Sequence, residues 1–162
     1  MADRLRDKVA IVTGAGSRGD GVGNGKATAI LFAREGARVL CVDIFAERAE
    51  ETVAAIAAEG GVASAFGADV TSREDCARMA AAALERYGRI DILQNNVGIP
   101  SRQALAEITA DEWDGVMATN VRSVVLASQA MVPHLAAVGG GAIINLSSIA
   151  GVRAYPSTST AY

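Results

Sequence analysis

The stretch Val9-Ala10-Ile11-Val12-Thr13-Gly14-Ala15-Gly16-Ser17-Arg18-Gly19-Asp20-Gly21-Val22-Gly23-Asn24-Gly25-Lys26 decides the fold. It opens on a short apolar, β-branched run and closes on a helix-forming segment, and six of the chain's 17 glycines fall in the 13 positions from Thr13 to Gly25. A strand that feeds a helix through such a loop builds an anion site. Glycine lets backbone amides approach a diphosphate closely, and the helix that follows offers unpaired N–H groups and its positive dipole end. A plain surface loop is the alternative, but the strand before and the helix after argue against it. Gly14, Gly16 and Gly19 spell G-x-G-x-x-G, yet a helix expected from about Lys26 to Glu35 begins too late for Gly19 to pack inside it. Gly14, Gly23 and Gly25 are therefore read as the turn and close-approach glycines, with Arg18 to Val22 as an insertion. A Walker A loop is disfavoured, because Ala27 rather than Ser or Thr follows Lys26.

Working outward, continuous apolar runs alternate with helical spacing, the pattern of buried parallel strands joined by crossover helices. Strands are expected at Val9–Val12, Val39–Val42, Val62–Phe66, Ile90–Leu93 and Ala142–Leu146. The second helix runs from about Ala46 to Glu59. Thr71 with Glu74 reads as a capping box opening the third, which ends at Gly88, and Thr109 with Glu112 as another opening a long helix that Pro133 should kink or end. Right-handed crossovers then give an α/β fold: a Rossmann-like, doubly wound parallel sheet of at least five strands in the order 3-2-1-4-5, with helices on both faces. Residues 1–162 read as one dinucleotide-binding domain, and ligands bind at the carboxyl ends of its strands.

Composition narrows the function classes. Of 162 residues 51% are apolar, which excludes disorder, and the 33 alanines suit helices packed closely on a sheet. Fifteen basic against 18 acidic residues leave a net charge of −3, the wrong sign for a nucleic-acid footprint or an acidic membrane. Cys41 and Cys76 form no C-x-x-C, and His134 is the only histidine, so a disulfide framework, a metal site and a Ser-His-Asp hydrolase have almost no material. No leader-like apolar segment or membrane-length run is present, and a cytoplasmic location is expected.

Several motifs, agreeing in order and spacing, resemble the short-chain dehydrogenase/reductase family. Thr13-Gly14-Ala15-Gly16-Ser17 with Gly23-Asn24-Gly25 resembles its T-G-x-x-x-G-x-G cofactor loop with five residues inserted. Asp69-Val70 is similar to its adenine-contacting pair, and Asn95-Asn96-Val97-Gly98 to its N-N-A-G motif, with Val97 where Ala is usual. Asn120 matches the Asn of the long helix, Ser148 the catalytic Ser after strand five, and Tyr162 the Tyr of Y-x-x-x-K. The resemblance implies hydride transfer between a nicotinamide cofactor and a small alcohol or carbonyl substrate. Ser148 would orient the substrate oxygen, Tyr162 would exchange a proton with it, and Asn120 would hold a relay water. Gly14, Ser17, Gly23, Asn24, Gly25, Asp43, Asp69, Val70, Asn96 and Gly98 would bind the cofactor, and a homo-oligomer is expected.

Asp43 ends strand two 20 residues after Gly23, where a carboxylate hydrogen-bonds ribose hydroxyls and repels a 2′-phosphate. NAD is thus expected over NADP, with Arg18 as the one basic residue placed to reach a phosphate. The sequence ends at Tyr162, before the family's Lys and a carboxyl-terminal substrate part. The expectation is a truncated chain that keeps most of a dinucleotide site, is close to inert, and exposes strand five as a sheet edge. A non-catalytic nucleotide-binding or interaction module is the alternative.

Overall fold

A computed structural model describes residues 3–19, 21–101 and 103–153. Five strands, β1 (Val9–Thr13), β2 (Arg38–Asp43), β3 (Val62–Gly67), β4 (Ile92–Asn95) and β5 (Ala142–Asn145), form one sheet in the order β3-β2-β1-β4-β5. Every neighbouring pair is parallel, as the sequence pattern requires. Helices α1 (Asn24–Arg34), α2 (Ala46–Ala58), α3 (Arg73–Tyr87), α4 (Ala110–Met117) and α5 (Ser123–Ala137) make the crossovers.

Alternation along the strands divides the core into two layers. Ile11, Leu40, Val42 and Leu93 meet Met79, Ala80 and Ala83 of α3 and Ala127, Met131 and Leu135 of α5. On the opposite face Val12, Val39 and Cys41 meet Ala29 and Ala33 of α1 and Ala49 and Ile56 of α2. Strand β1, central and buried along its whole length, is apolar on both faces for this reason. Complete burial of a side chain such as Leu40 or Met131 contributes about 1.5–3 kcal/mol. Strand β5 lies at one edge with all four residues exposed, the expected edge, and Ile143, Ile144 and Leu146 present apolar surface there.

Three local expectations are corrected. Helix α3 is capped by Ser72, whose Oγ accepts from the Asp75 amide, rather than by Thr71. Thr71 instead gives both its amide and its hydroxyl to Asp69 Oδ1, at 2.8 and 2.7 Å. Thr109 does cap α4, but Glu112 Oε1 accepts from the Ser101 hydroxyl rather than closing a box on the Thr109 amide, which goes to Gln103. Helix α5 runs four residues past Pro133. Pro133 and Gln129, the residue whose carbonyl loses its donor, both lie on the exposed face, where water can satisfy that carbonyl.

Registry brings the functional ends of the strands together. Thr13 stands opposite Val42 and Val12 opposite Gln94, so β1, β2 and β4 finish side by side. The Thr13 hydroxyl donates to the Gln94 carbonyl at 3.2 Å and accepts from the Asn96 amide at 3.1 Å, tying the loops after β1 and β4 to each other.

Candidate dinucleotide cleft

A cleft of about 690 Å³ opens at the carboxyl ends of these strands. Its floor is the glycine loop. Gly14 has a left-handed backbone (φ +61°), and a Cβ there would stand 3.1 Å from Asn96 Nδ2. At Gly25 a Cβ would overlap the Gly14 carbonyl oxygen and lie 2.6 Å from Asn96 Nδ2, so α1 can dock on the β1 turn only through glycine. Gly16, not among the glycines expected to make close approaches, is equally confined: a Cβ would overlap that of Arg48 and lie 2.8 Å from Asp43 Oδ2. Gly23 leaves ordinary contact distances instead, and its amide donates to Ser17 Oγ at 3.0 Å. Gly19 borders open space and stays outside the helix.

Helix α1 starts at Asn24, two residues earlier than the pattern suggested, with Gly23 as N-cap and no side-chain cap or acidic residue in its first turn. Its first amides and positive dipole end therefore face the cleft without a protein anion. Asp43, at the end of β2, accepts from the Gly16 amide through Oδ2 and from the Phe45 amide through Oδ1, each at 3.1 Å, which fixes its charge at the cleft mouth. Asp69 and Val70 come from the loop after β3, where Asp69 donates its amide to Asp75 Oδ2. The Arg78 guanidinium, and then that amide, hold the Asp75 carboxyl below the usual carboxylate range.

All ten residues expected at a cofactor line this one cleft: Gly14, Ser17, Gly23, Asn24, Gly25, Asp43, Asp69, Val70, Asn96 and Gly98. Arg18 lines it too, and so does Arg48 from the first turn of α2. Arg18 is thus not the one basic residue at the cleft. Arg48 escaped the sequence reading because helical spacing alone does not show that α2 packs against Gly16. Asn96 donates through Nδ2 to the carbonyls of Thr13 and Gly14, while its buried Oδ1 has no partner among the described residues. An uncapped helix start, a glycine cradle and this orphaned acceptor fit a dinucleotide, whose diphosphate needs donors and whose ribose and amide groups supply them.

Of the residues expected to be catalytic, neither Asn120 nor Ser148 is part of the cleft's lining. Asn120 occupies a π-helical turn, Ala118–Arg122, inserted between α4 and α5, the kind of interruption found most often at functional sites. Its Nδ2 donates to the Ile99 carbonyl at 2.9 Å and its Oδ1 accepts from the Ile99 amide at 2.8 Å. Both ends of the amide thus hold the loop after β4, and Thr119 lines the cleft instead. The side chain was expected to hold water; it acts first as a clamp on Ile99. Ser148 follows β5, and its Oγ accepts from the Ala150 amide, capping a short 3₁₀ turn at Ile149–Gly151. Tyr162 lies outside the described residues.

The profile of the short chain dehydrogenase family matches residues 8–162. This chain belongs to the short chain dehydrogenase family. It is 38% identical to an uncharacterised oxidoreductase of Listeria monocytogenes, over 94% of this chain and 59% of that protein. It is 37% identical to the cyclohexanol dehydrogenase of an Acinetobacter species, over the same shares. Among solved structures, a short-chain dehydrogenase/reductase from Burkholderia xenovorans superposes with a TM-score of 0.89 at 39% identity, covering 93% of this chain and 60% of that one. The chain spans about three fifths of the length of the curated relatives it matches.

Two further features of this chain bear on chemistry. Burial pushes the Cys41 thiol up to about 12; burial, with the charges of Asp75 and Asp69 adding, pushes Cys76 up to about 11. Neither is a thiolate at neutral pH, so neither serves as a nucleophile. The Asn120 clamp gives a sharper expectation. Replacing Asn120 by Ala leaves the part-buried Ile99 amide and carbonyl without their partner, at a cost of about 1–2 kcal/mol. In thermal unfolding Asn120→Ala should melt about 3–8 °C lower, and Asn120→Asp, which keeps an acceptor for the Ile99 amide, should recover part of the loss. An unchanged melting temperature contradicts the clamp.

Proposed function

We propose that this chain supplies the dinucleotide site of an NAD(P)-dependent oxidoreductase acting on a small alcohol or ketone. One observation carries the reading: the uncapped start of α1 faces a glycine-built cleft whose mouth holds a fixed carboxylate, Asp43. A nicotinamide dinucleotide, when bound, supplies the hydride acceptor or donor. The chain's own groups do the rest. Amides of Asn24 and Gly25 take the diphosphate, Asp43 takes the ribose hydroxyls, and Asp69 and Val70 bound the adenine end. Ser148 orients the substrate oxygen, and the Tyr162 phenol oxygen gives or takes the proton. Asn120 keeps the loop after β4 in place beside them. Alcohol chemistry is supported by the relative named for cyclohexanol. A cytoplasmic homo-oligomer is part of the same proposal, and the exposed Val121, Val125 and Val132 on the outer helix face support self-association.

Cofactor preference is the first test. The Asp43 carboxylate, held by the Gly16 and Phe45 amides, repels a 2′-phosphate, so NAD is the preferred form and NADP the weaker ligand. Measured by nucleotide fluorescence on the 162-residue chain, NADH should bind at least about tenfold more tightly than NADPH, a difference of about 1.4 kcal/mol. Equal or reversed affinities contradict the role given to Asp43.

A further inference from the structure

The buried face of α2 is Ala49, Thr52 and Ile56. A hydroxyl enclosed between apolar neighbours, with none of its residue's surface exposed, must find a partner. A threonine inside a helix commonly gives its proton to the carbonyl four residues back, and the Arg48 oxygen stands there at 3.4 Å. The Ala15 carbonyl oxygen is much closer, at 2.7 Å, and a hydroxyl has a single proton to give. The bond therefore joins α2 to the glycine loop, 37 positions away. What it holds is one peptide unit. Ala15 is fully buried, its amide donates to the Val42 carbonyl at 2.9 Å, and its carbonyl has Thr52 as its one donor among the described residues. The N–H at the other end of the same peptide plane belongs to Gly16 and donates to Asp43 Oδ2 at 3.1 Å. Thr52 and Asp43 thus grip opposite ends of one plane. Gly16 lines the cleft and Ala15 does not, so this plane separates the core from the cleft. Rotating it turns ψ of Ala15 and φ of Gly16, and glycine offers little steric resistance to that turn.

Building on the cleft as a dinucleotide site, we infer that the Thr52 hydroxyl is a positioning group for the cofactor loop, holding the Ala15–Gly16 peptide with its oxygen in the core and its N–H toward the cleft mouth. Without that hydroxyl a buried carbonyl has no donor, and the peptide rotates to relieve it. The rotation carries the oxygen into the cleft, against an anionic ligand, and takes the Gly16 N–H off Asp43. Thr52 itself touches no ligand and acts through Gly16.

The experiment compares the 162-residue chain with Thr52→Ser, Thr52→Val and Thr52→Ala at a temperature where each is folded. Two quantities are read: NADH affinity by nucleotide fluorescence, and hydrogen exchange of the Gly16 amide by NMR in the absence of nucleotide. Ser keeps the hydroxyl and loses a methyl, Val keeps the volume and loses the hydroxyl, and Ala loses both. Thr52→Val and Thr52→Ala should each bind NADH about tenfold more weakly and exchange the Gly16 amide at least about tenfold faster. Thr52→Ser should stay within about twofold of the parent in both measurements. A role in packing alone gives the opposite order, Val close to the parent and Ser impaired, and overturns the inference. An unchanged Gly16 exchange rate in Thr52→Val and Thr52→Ala overturns it as well. If Thr52→Val does not fold because its methyl meets the Ala15 oxygen, Thr52→Ala against Thr52→Ser decides. A parent chain that binds no NADH overturns the reading of the cleft, a result distinct from a parent that binds NADH and a Thr52→Val variant that binds it equally well, which overturns the role of Thr52.

Discussion

Gly25→Ala abolishes measurable NADH binding, weakening it by at least about 100-fold, or about 2.7 kcal/mol. On helix propensity alone the change should help, because Ala is favoured over Gly inside a helix by about 0.5–1 kcal/mol. Sterics decide against it. The new methyl would overlap the Gly14 carbonyl oxygen and crowd both the carbon of that group and Asn96 Nδ2, at 2.7 and 2.6 Å. Two of these obstacles are backbone, which no rotamer change relieves, so the start of α1 must withdraw from the β1 turn. Its amides then no longer converge on the diphosphate, and the Asn96 bonds to Thr13 and Gly14 break with them. Gly21→Ala is the control: a Cβ there meets nothing within 4 Å, and binding should stay within about threefold of the parent. If Gly25→Ala binds NADH as well as Gly21→Ala does, the close approach has no functional meaning.

The second large effect is on stability. Asp91 precedes β4 with 3% of its surface exposed, yet it is charged. Its Oδ2 accepts from the Val9 amide at 2.9 Å and Arg89 Nε at 2.8 Å, and its Oδ1 from the other arm of Arg89 at 2.6 Å and from Lys8 at 3.4 Å. The carboxylate therefore pins the start of β1 to the start of β4. Burial pushes its pKa upward, and the Arg89, Val9 and Lys8 contacts together outweigh it, so the net shift is downward. Asp91→Asn keeps the shape and loses the charge. It should cost about 2–3 kcal/mol, below the figure for a fully buried pair because Arg89 is itself 37% exposed. The sign of the pH dependence follows from the lowered value. The stabilisation is complete above the ordinary Asp range near 4 and disappears as the pH falls through the lower folded-state value. Urea unfolding at pH 7 should thus separate the two proteins fully, and the gap should close progressively below about pH 4. A gap that is constant with pH, or absent at pH 7, contradicts this account of Asp91.

How much the sequence disclosed depends on whether a feature is written in neighbours along the chain or in neighbours across it. Strands, crossovers and the glycine-rich loop are local patterns. Val9 to Lys26 could be read alone, and Asp43 followed from its place at the end of an apolar run. The features that escaped reading depend on tertiary contact. Arg48 is an unremarkable helix residue until α2 packs it against Gly16, and Gly16 owes its constraint to that same contact. The π turn around Asn120 has no sequence period of its own, since one extra residue per turn is held by the Ile99 clamp 21 positions away. Ser72 rather than Thr71 caps α3, while Asp69, two residues before Thr71, takes both Thr71 donors. Pro133 failed to end α5 because its face is exposed, a property that composition cannot show.

The central claim is that the amides at the start of α1 hold the diphosphate of a nicotinamide dinucleotide. Backbone amide NMR spectra of the isotopically labelled chain, titrated with NADH, test it residue by residue. Saturable shifts at Gly14, Gly16, Gly23, Asn24 and Gly25, joined by Asp43, Val70 and Gly98, are the predicted result. Spectra in which those amides stay still while NADH is added, or in which shifts gather on the outer face of α5, contradict it.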